Sequence, residues 1–348
     1  MLLSFFHKNI LETIFVKHRY NPSISNKSML NKSVLYKLIL SCFLASLAIN
    51  ATAQDIAFSQ FYANPLYLNP AFAGTAKCPR FVMHYRNEWP ALYKTFISES
   101  VSYDQHVNAL SGGLGLLVTS DQAGNGTLNT TNVGGIYSYQ LNVNRKFSVK
   151  AAIQASYFQK NLNFNKLRFG DQIEERSGFI YPTQEQADRT HRNGIDFSAG
   201  VLGFSKKYFF GVAVNHLNQP DESFVKGPSK LPMKITGHAG AVIPINEDNE
   251  LSISPNILYQ QQGNFQQLNL GIYLKKSVFV VGFWYRNRDA FIAIAGIQTK
   301  FFKFGYSYDV TVSKLNNATG GSHEVTLAFI ADCKPKKKKF RTINCPTF

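Results

Sequence analysis

Charge is scarce in this chain of 348 residues: 17% are Asp, Glu, Lys or Arg, and acid is scarcer than base, 21 against 37. Tryptophan (2), methionine (4) and cysteine (4) are few as well. Low charge beside 45% hydrophobic residues excludes a disordered chain. Chemical motifs are also missing: there is no Gly-rich phosphate loop, no paired-Cys motif and no HExxH, so no cofactor and no metal is expected. Past residue 53 no apolar run reaches eighteen residues, which excludes a transmembrane helix there. What is abundant is aromatic: 29 Phe and 17 Tyr bring the aromatic share to 14%, a composition that suits strands and argues against a coiled coil.

The formal charge of +16 invites a nucleic-acid reading, but it sits at the ends. Residues 1–53 carry +5 and the last sixteen residues carry six unopposed basic side chains, leaving +5 for 54–332. Part of the N-terminal excess is expected to belong to a secretory signal starting near Met29. Lys32 and Lys37 precede the apolar run Leu38–Ile49, and Ala51-Thr52-Ala53 is a small-x-small exit. Cleavage after Ala53 would make Gln54 the first mature residue, with Met29 a candidate true start. Cys42 superficially permits lipoprotein processing, yet apolar residues continue past it to Ile49. An exported chain meets no nucleic acid, so the tail Lys336–Lys339 is expected to be solvated or to meet an acidic partner or lipid headgroups.

From Phe81 onward the chain divides into segments of about ten residues that alternate apolar and polar, separated by turn signals, which is how membrane-spanning barrel strands read. In 146–160 one face is Phe147, Val149, Ala151, Ile153, Ala155 and Tyr157, and the other carries Ser148, Lys150, Gln154, Ser156 and Lys160. Fourteen such segments run from 80–89 to 322–332, an even number as bacterial barrels require. The long connections, 122–128, 161–193, 217–232 and 311–321, all fall on one side, which makes that side extracellular and the short turns periplasmic. Two segments fit poorly. Glu99 shares a phase with Val101 and Tyr103, so its strand needs a bulge or rises above the lipid. Pro255 implies a bulge or a locally open ladder.

The expected fold is thus all-β: a single antiparallel transmembrane barrel over 78–332, preceded by residues 54–77 and followed by a basic periplasmic tail, 333–348. Closure brings the first and last strands together, which puts Cys78 and Cys333 at one rim with Cys345 twelve residues on. One disulfide among the three suits an oxidising compartment, and the sequence does not choose the pair. Between Gln54 and Gly74, Phe58, Phe61, Tyr62, Tyr67, Leu68 and Phe72 lie on a stretch stiffened by Pro65 and Pro70. They require cover, from the barrel lumen and its periplasmic mouth or from a partner. The segment is expected to plug or cap the barrel, with Asn69 and Gly74 shaping its turn.

The stretch QDIAFSQFYANPLYLNPAFAG at 54–74, the Arg86-x-x-Trp89-Pro90 that follows and the closing CPKKKKFRTINCPTF resemble the PorP/SprF family of Bacteroidota outer-membrane proteins. The resemblance picks out Asn69, Pro70, Phe72, Gly74, Arg86, Trp89 and Pro90. It implies a non-enzymatic barrel serving type IX secretion and gliding motility. Its implied partners are other components of that machinery, outer-membrane lipid and, in some members, a large surface adhesin held by its C-terminal domain.

The loop 161–193 is the expected partner contact. It is longer than a hairpin needs, and Phe164, Arg168, Phe169, Arg176, Phe179 and Tyr181 give it the aromatic-plus-arginine composition of interface anchors. A lid over the barrel mouth is the competing reading of that loop. Two rival functions are compatible with a barrel. A passive porin or hydrophobic-solute transporter would conduct through an open lumen. A barrel hydrolase could use His323, Glu324 and Asp309, though these read more simply as polar residues capping strands at an outer turn.

Overall fold

A computed structural model of the chain describes residues 54–92, 95–174, 176–186, 188–246, 250–312 and 320–332. The expected signal sequence, the basic tail, Cys333 and Cys345 lie outside the described residues. Fourteen strands form the wall among those described: β1 Arg80–Glu88, β2 Phe96–Val107, β3 Gly112–Ala123, β4 Leu128–Asn142, β5 Ser148–Leu162, β6 His191–Phe204 and β7 Tyr208–Asn215, then β8 Lys234–Ala241, β9 Leu251–Gln262, β10 Phe265–Lys276, β11 Phe279–Arg286, β12 Ala290–Gln298, β13 Phe302–Thr311 and β14 Ser322–Ile330. Each pairs antiparallel with its sequence neighbours, and β1 meets β14 from Arg80↔Ile330 to Glu88↔Ser322, which closes the ring. All fourteen expected segments are present, with ends shifted by a few residues at most.

Period-two alternation decides what each face meets. On β5, Ala151, Ile153, Ala155 and Tyr157 are exposed on the outside, while Ser148, Lys150, Gln154 and Ser156 are buried on the inside. On β13 the outward positions are Phe304, Tyr306, Tyr308 and Val310, and Ser307 and Asp309 point inward. Apolar side chains outside and polar ones inside invert a soluble sandwich; this is the arrangement of a barrel solvated by lipid.

The two misfits resolve differently. Pairing of β2 with β1 and with β3 is unbroken through Glu99↔Tyr85 and Glu99↔Ser120, so no bulge forms. Glu99 faces outward, four residues into β2 from the outer loop. At Pro255 the ladder opens on one side only. It pairs with Ile272 of β10, whereas the pairing toward β8 stops at Gly240↔Asn256 and resumes at Ile243↔Ile253 in the same register. Proline has no N–H to donate to that gap.

Candidate functional site

Residues 55–74 run through the inside of the ring, and the sequence explains their path. Proline is tolerated in the first turn of a helix, where its missing N–H costs nothing. Pro65 opens a single α-turn to Leu68 and Pro70 a 3-10 turn to Phe72. Between them the Asn69 side chain accepts a hydrogen bond from the Ala71 N–H at 2.9 Å. Gly74 ends the path at φ +70°, in the left-handed region, with its N–H donating to Asp104 Oδ2 at 2.7 Å.

The first half of this segment is held by charge. The Asp55 carboxylate accepts hydrogen bonds from His216 Nε2 at 2.8 Å and from the Gln262 amide at 3.0 Å, with Lys234 Nζ 3.6 Å away. His216 reaches Asp196 through Nδ1 at 2.9 Å. Burial alone would raise the Asp55 pKa, but Lys234 and His216 hold it well below the carboxylate range. Burial likewise works against a charged His216, yet the two carboxylates carry it up to about 10. Four residues on, the Ser59 and Gln60 N–H groups donate to the two Glu324 oxygens at 2.6 and 3.1 Å. Ser59 Oγ accepts from Arg86 at 2.7 Å and Arg286 at 2.9 Å, and donates to Asp309. Arg86 also pairs with Asp309 at 3.0 Å and Glu324 at 3.3 Å. Four strands, β1, β11, β13 and β14, thus contribute two cations and two anions around one serine, all buried.

The second half is held by packing. Leu66, Leu68, Ala71, Phe72 and Ala73 are buried in one cluster with Leu117, Ile136, Leu202, Phe209 and Trp284 of the wall. Phe61 meets Trp284 edge-on at 5.0 Å, and Phe72 stacks on His238 at 5.4 Å. Asn69 donates to the Val201 and Val212 carbonyls at 3.1 and 3.3 Å. It lies so close that a Cβ on Gly200 would fall 2.1 Å from its oxygen. The Ala73 carbonyl accepts from Ser138 Oγ at 2.8 Å and from Lys150.

Asn69, Pro70, Phe72, Gly74 and Arg86 therefore come together at this interface. Trp89 and Pro90 do not: they lie past the outer end of β1. Trp89 sits at φ 56°, its N–H donating to Gly321 O at 2.9 Å and its ring meeting Phe96 edge-on at 5.7 Å. Pro90 is exposed. In the long loop Phe164 and Phe169 pack together at 5.1 Å, half-buried, whereas Arg168, Arg176, Phe179 and Tyr181 are exposed. A two-residue hairpin, Ile173–Glu174 with Gly178–Phe179, stiffens the middle of that loop. Cys78 is disulfide-bonded, with its partner outside the described residues.

The outer-turn reading of Asp309, Glu324 and His323 needs correction. Asp309 and Glu324 point inward into the ion network rather than capping strands. His323 occupies the opposite face of β14, hydrogen-bonded to Tyr306 at 2.8 Å, so the three form no common site. The histidine near Glu324 is His84, at 3.6 Å. Sequence reasoning also missed Asp55, Ser59, Arg286 and His216. A signal was present: Arg86, Arg286, Asp309 and Glu324 all fall in the inward phase of their strands, where a charge must find a partner.

A family model for the type IX secretion system membrane protein PorP/SprF matches residues 50–329. The chain belongs to the PorP/SprF family. Family membership makes it a component of type IX secretion, and a closed barrel with an apolar outer wall makes its setting the outer membrane. The family is one of secretion barrels rather than of enzymes. A search among curated proteins returns no match. Similar solved structures include the Ralstonia pickettii toluene transporter TbuX, at 14% identity and TM-score 0.45 over 80% of this chain and 95% of that one. Another is the Acinetobacter baumannii outer membrane protein Omp33, at 10% identity and TM-score 0.41 over 74% of this chain and all of that one (100%). Likenesses this distant carry nothing about function.

Proposed function

We propose that this PorP/SprF barrel binds a secreted surface protein, an adhesin or its C-terminal domain, at its outer loops and conducts nothing through its lumen. The observation that supports this reading is the inner segment. Residues 58–75 are almost wholly buried and are bonded to strands around the ring, leaving beside them an apolar chamber of about 90 Å³. A porin needs an aqueous path at this level, and a solute carrier needs a chamber sized to its cargo at the same level, where pockets for drug-sized ligands measure roughly 300–1,000 Å³. In this proposal residues 1–53 direct export and are removed. Residues 54–77 plug the barrel, and Cys78 pairs with Cys333 or Cys345 at the seam. Phe164, Arg168, Phe169, Arg176, Phe179 and Tyr181 are the anchors of partner contact. Other type IX components and outer-membrane lipid complete the surroundings, in a gliding or secreting member of the Bacteroidota.

Deleting Leu167–Arg189 tests this. The strands keep their ladder, so the barrel should still insert, while display of the adhesin at the surface should be lost. Adhesin display that survives the deletion in correctly inserted protein would move the contact elsewhere, the periplasmic face first.

A further inference from the structure

The two ends of the barrel differ in charge. At the loop end basic side chains meet acids: Lys160 pairs with Glu222 and Arg192 with Asp221 at 2.9 Å. At the turn end the connections carry Lys77, Arg145, Lys146, Lys206, Lys207 and Lys300, against Glu247, Asp248, Glu250 and Asp332. Within that end lies a recess of about 370 Å³ whose walls include Lys206, Lys207, Ser252, Ser254, Tyr273 and Lys275. It shares Tyr273, Val280 and Gln298 with the apolar chamber, which adds Lys303 and the Asp104-paired Arg80. Among the described residues lining the two spaces none is acidic.

We infer that this turn-end recess binds an acidic peptide segment of a periplasmic protein. Its lysines do not face lipid. Lys275 is in phase with buried Tyr273, and Lys303 with buried Ser307 and Asp309, so both project into the lumen. The recess is also larger than an inorganic anion requires and opens toward apolar walls, which suits carboxylates interleaved with apolar side chains. Charge of one sign in a low-dielectric recess focuses the field and favours an oppositely charged ligand. The site lies opposite the outer loops, so it stands or falls separately from adhesin binding there.

The test uses the full mature protein in nanodiscs of zwitterionic lipid, with a short fluorescent peptide of alternating Glu and Leu and its Gln–Leu counterpart. The Glu peptide should bind, with affinity falling as salt rises, and the Gln peptide should not. Lys206→Glu with Lys275→Glu should weaken binding by about tenfold or more, and Lys226→Glu, exposed in the loop 217–232 at the other end of the barrel, by less than about twofold. If the double variant fails to insert, Lys206→Glu with Lys207→Glu, both in an exposed turn, gives the same readout. Equal binding of the two peptides, wild-type affinity in the recess variants, equal loss in Lys226→Glu, or displacement of the peptide by equimolar inorganic phosphate would each overturn the inference.

Discussion

The two halves of the inner segment are fixed by different physics. From Asp55 to Gln60 the hold is electrostatic: five carboxylate or serine contacts reach β1, β11, β13 and β14, and the Asp55 clasp adds His216. From Asn64 to Gly74 it is steric, with apolar side chains in the wall cluster and Gly74 backed against Gly113. A buried ion network costs desolvation and works only while complete; close packing tolerates no single partner change but does not depend on pH. The first half is therefore the conditional fastening and the second the permanent one.

The largest effect should come from breaking the network. Arg86→Ala leaves Asp309 and Glu324 buried with Arg286 as the remaining arginine, and removing one partner of a buried pair costs about 3–5 kcal/mol. Denaturant unfolding of the reconstituted barrel measures it, and a loss near that of an exposed ion pair would show that water already reaches the network. Leu66→Ala and Phe72→Ala empty the packed half and should each cost about 2–5 kcal/mol by the same assay. Gly74→Val asks for a β-branched residue at φ +70° with a Cβ 2.7 Å from Gly113 Cα. Overpacking of this kind costs about 1–3 kcal/mol, and protease sensitivity of residues 55–74 should rise with it. An unchanged digestion pattern would mean the wall yields.

The smallest effect, and the one that separates the halves, is with pH. His216 is raised from 6.5 to about 10, so its contribution is complete below pH 6.5 and is lost as pH climbs through 10. Asp55 is lowered from 3.8, so its contribution is present above that value and lost as pH falls through the lower folded one. Between pH 7 and 10 the wild-type melting temperature should drop more than that of His216→Gln. Parallel curves would place the clasp outside the stability of the barrel.

The wall was legible in the sequence because period two is a local property. On β5 every outward residue from Ala151 to Tyr157 can be assigned without knowing what surrounds it. The end of the inner path was legible too, since Pro65, Pro70, Asn69 and Gly74 state their backbone needs directly. The network was not. Ser59 and Glu324 are 265 residues apart, and no spacing announces that β13 and β14 bring Asp309 and Glu324 to the same inner point. Read along the chain, Asp309 and Glu324 sit near an outer loop and pass for strand caps. Only the phase of the strand turns them inward. Gly200 was silent for the same reason: it marks a close approach by Asn69 that no neighbouring residue reveals.

The most direct test of the central claim is hydrogen–deuterium exchange across residues 55–74 in the reconstituted, full mature protein. The amides of Leu68, Asn69, Phe72 and Ala73 are bonded within the packed half, that of Gly74 to Asp104 of the wall, and those of Ser59 and Gln60 to Glu324. Both halves should exchange far more slowly than the exposed loop around Arg176, and raising the pH toward 10 should loosen 55–60 before 64–74 once the intrinsic pH dependence is removed. Exchange across the whole segment as fast as in that loop would contradict a fixed inner path and, with it, the proposal of a closed lumen.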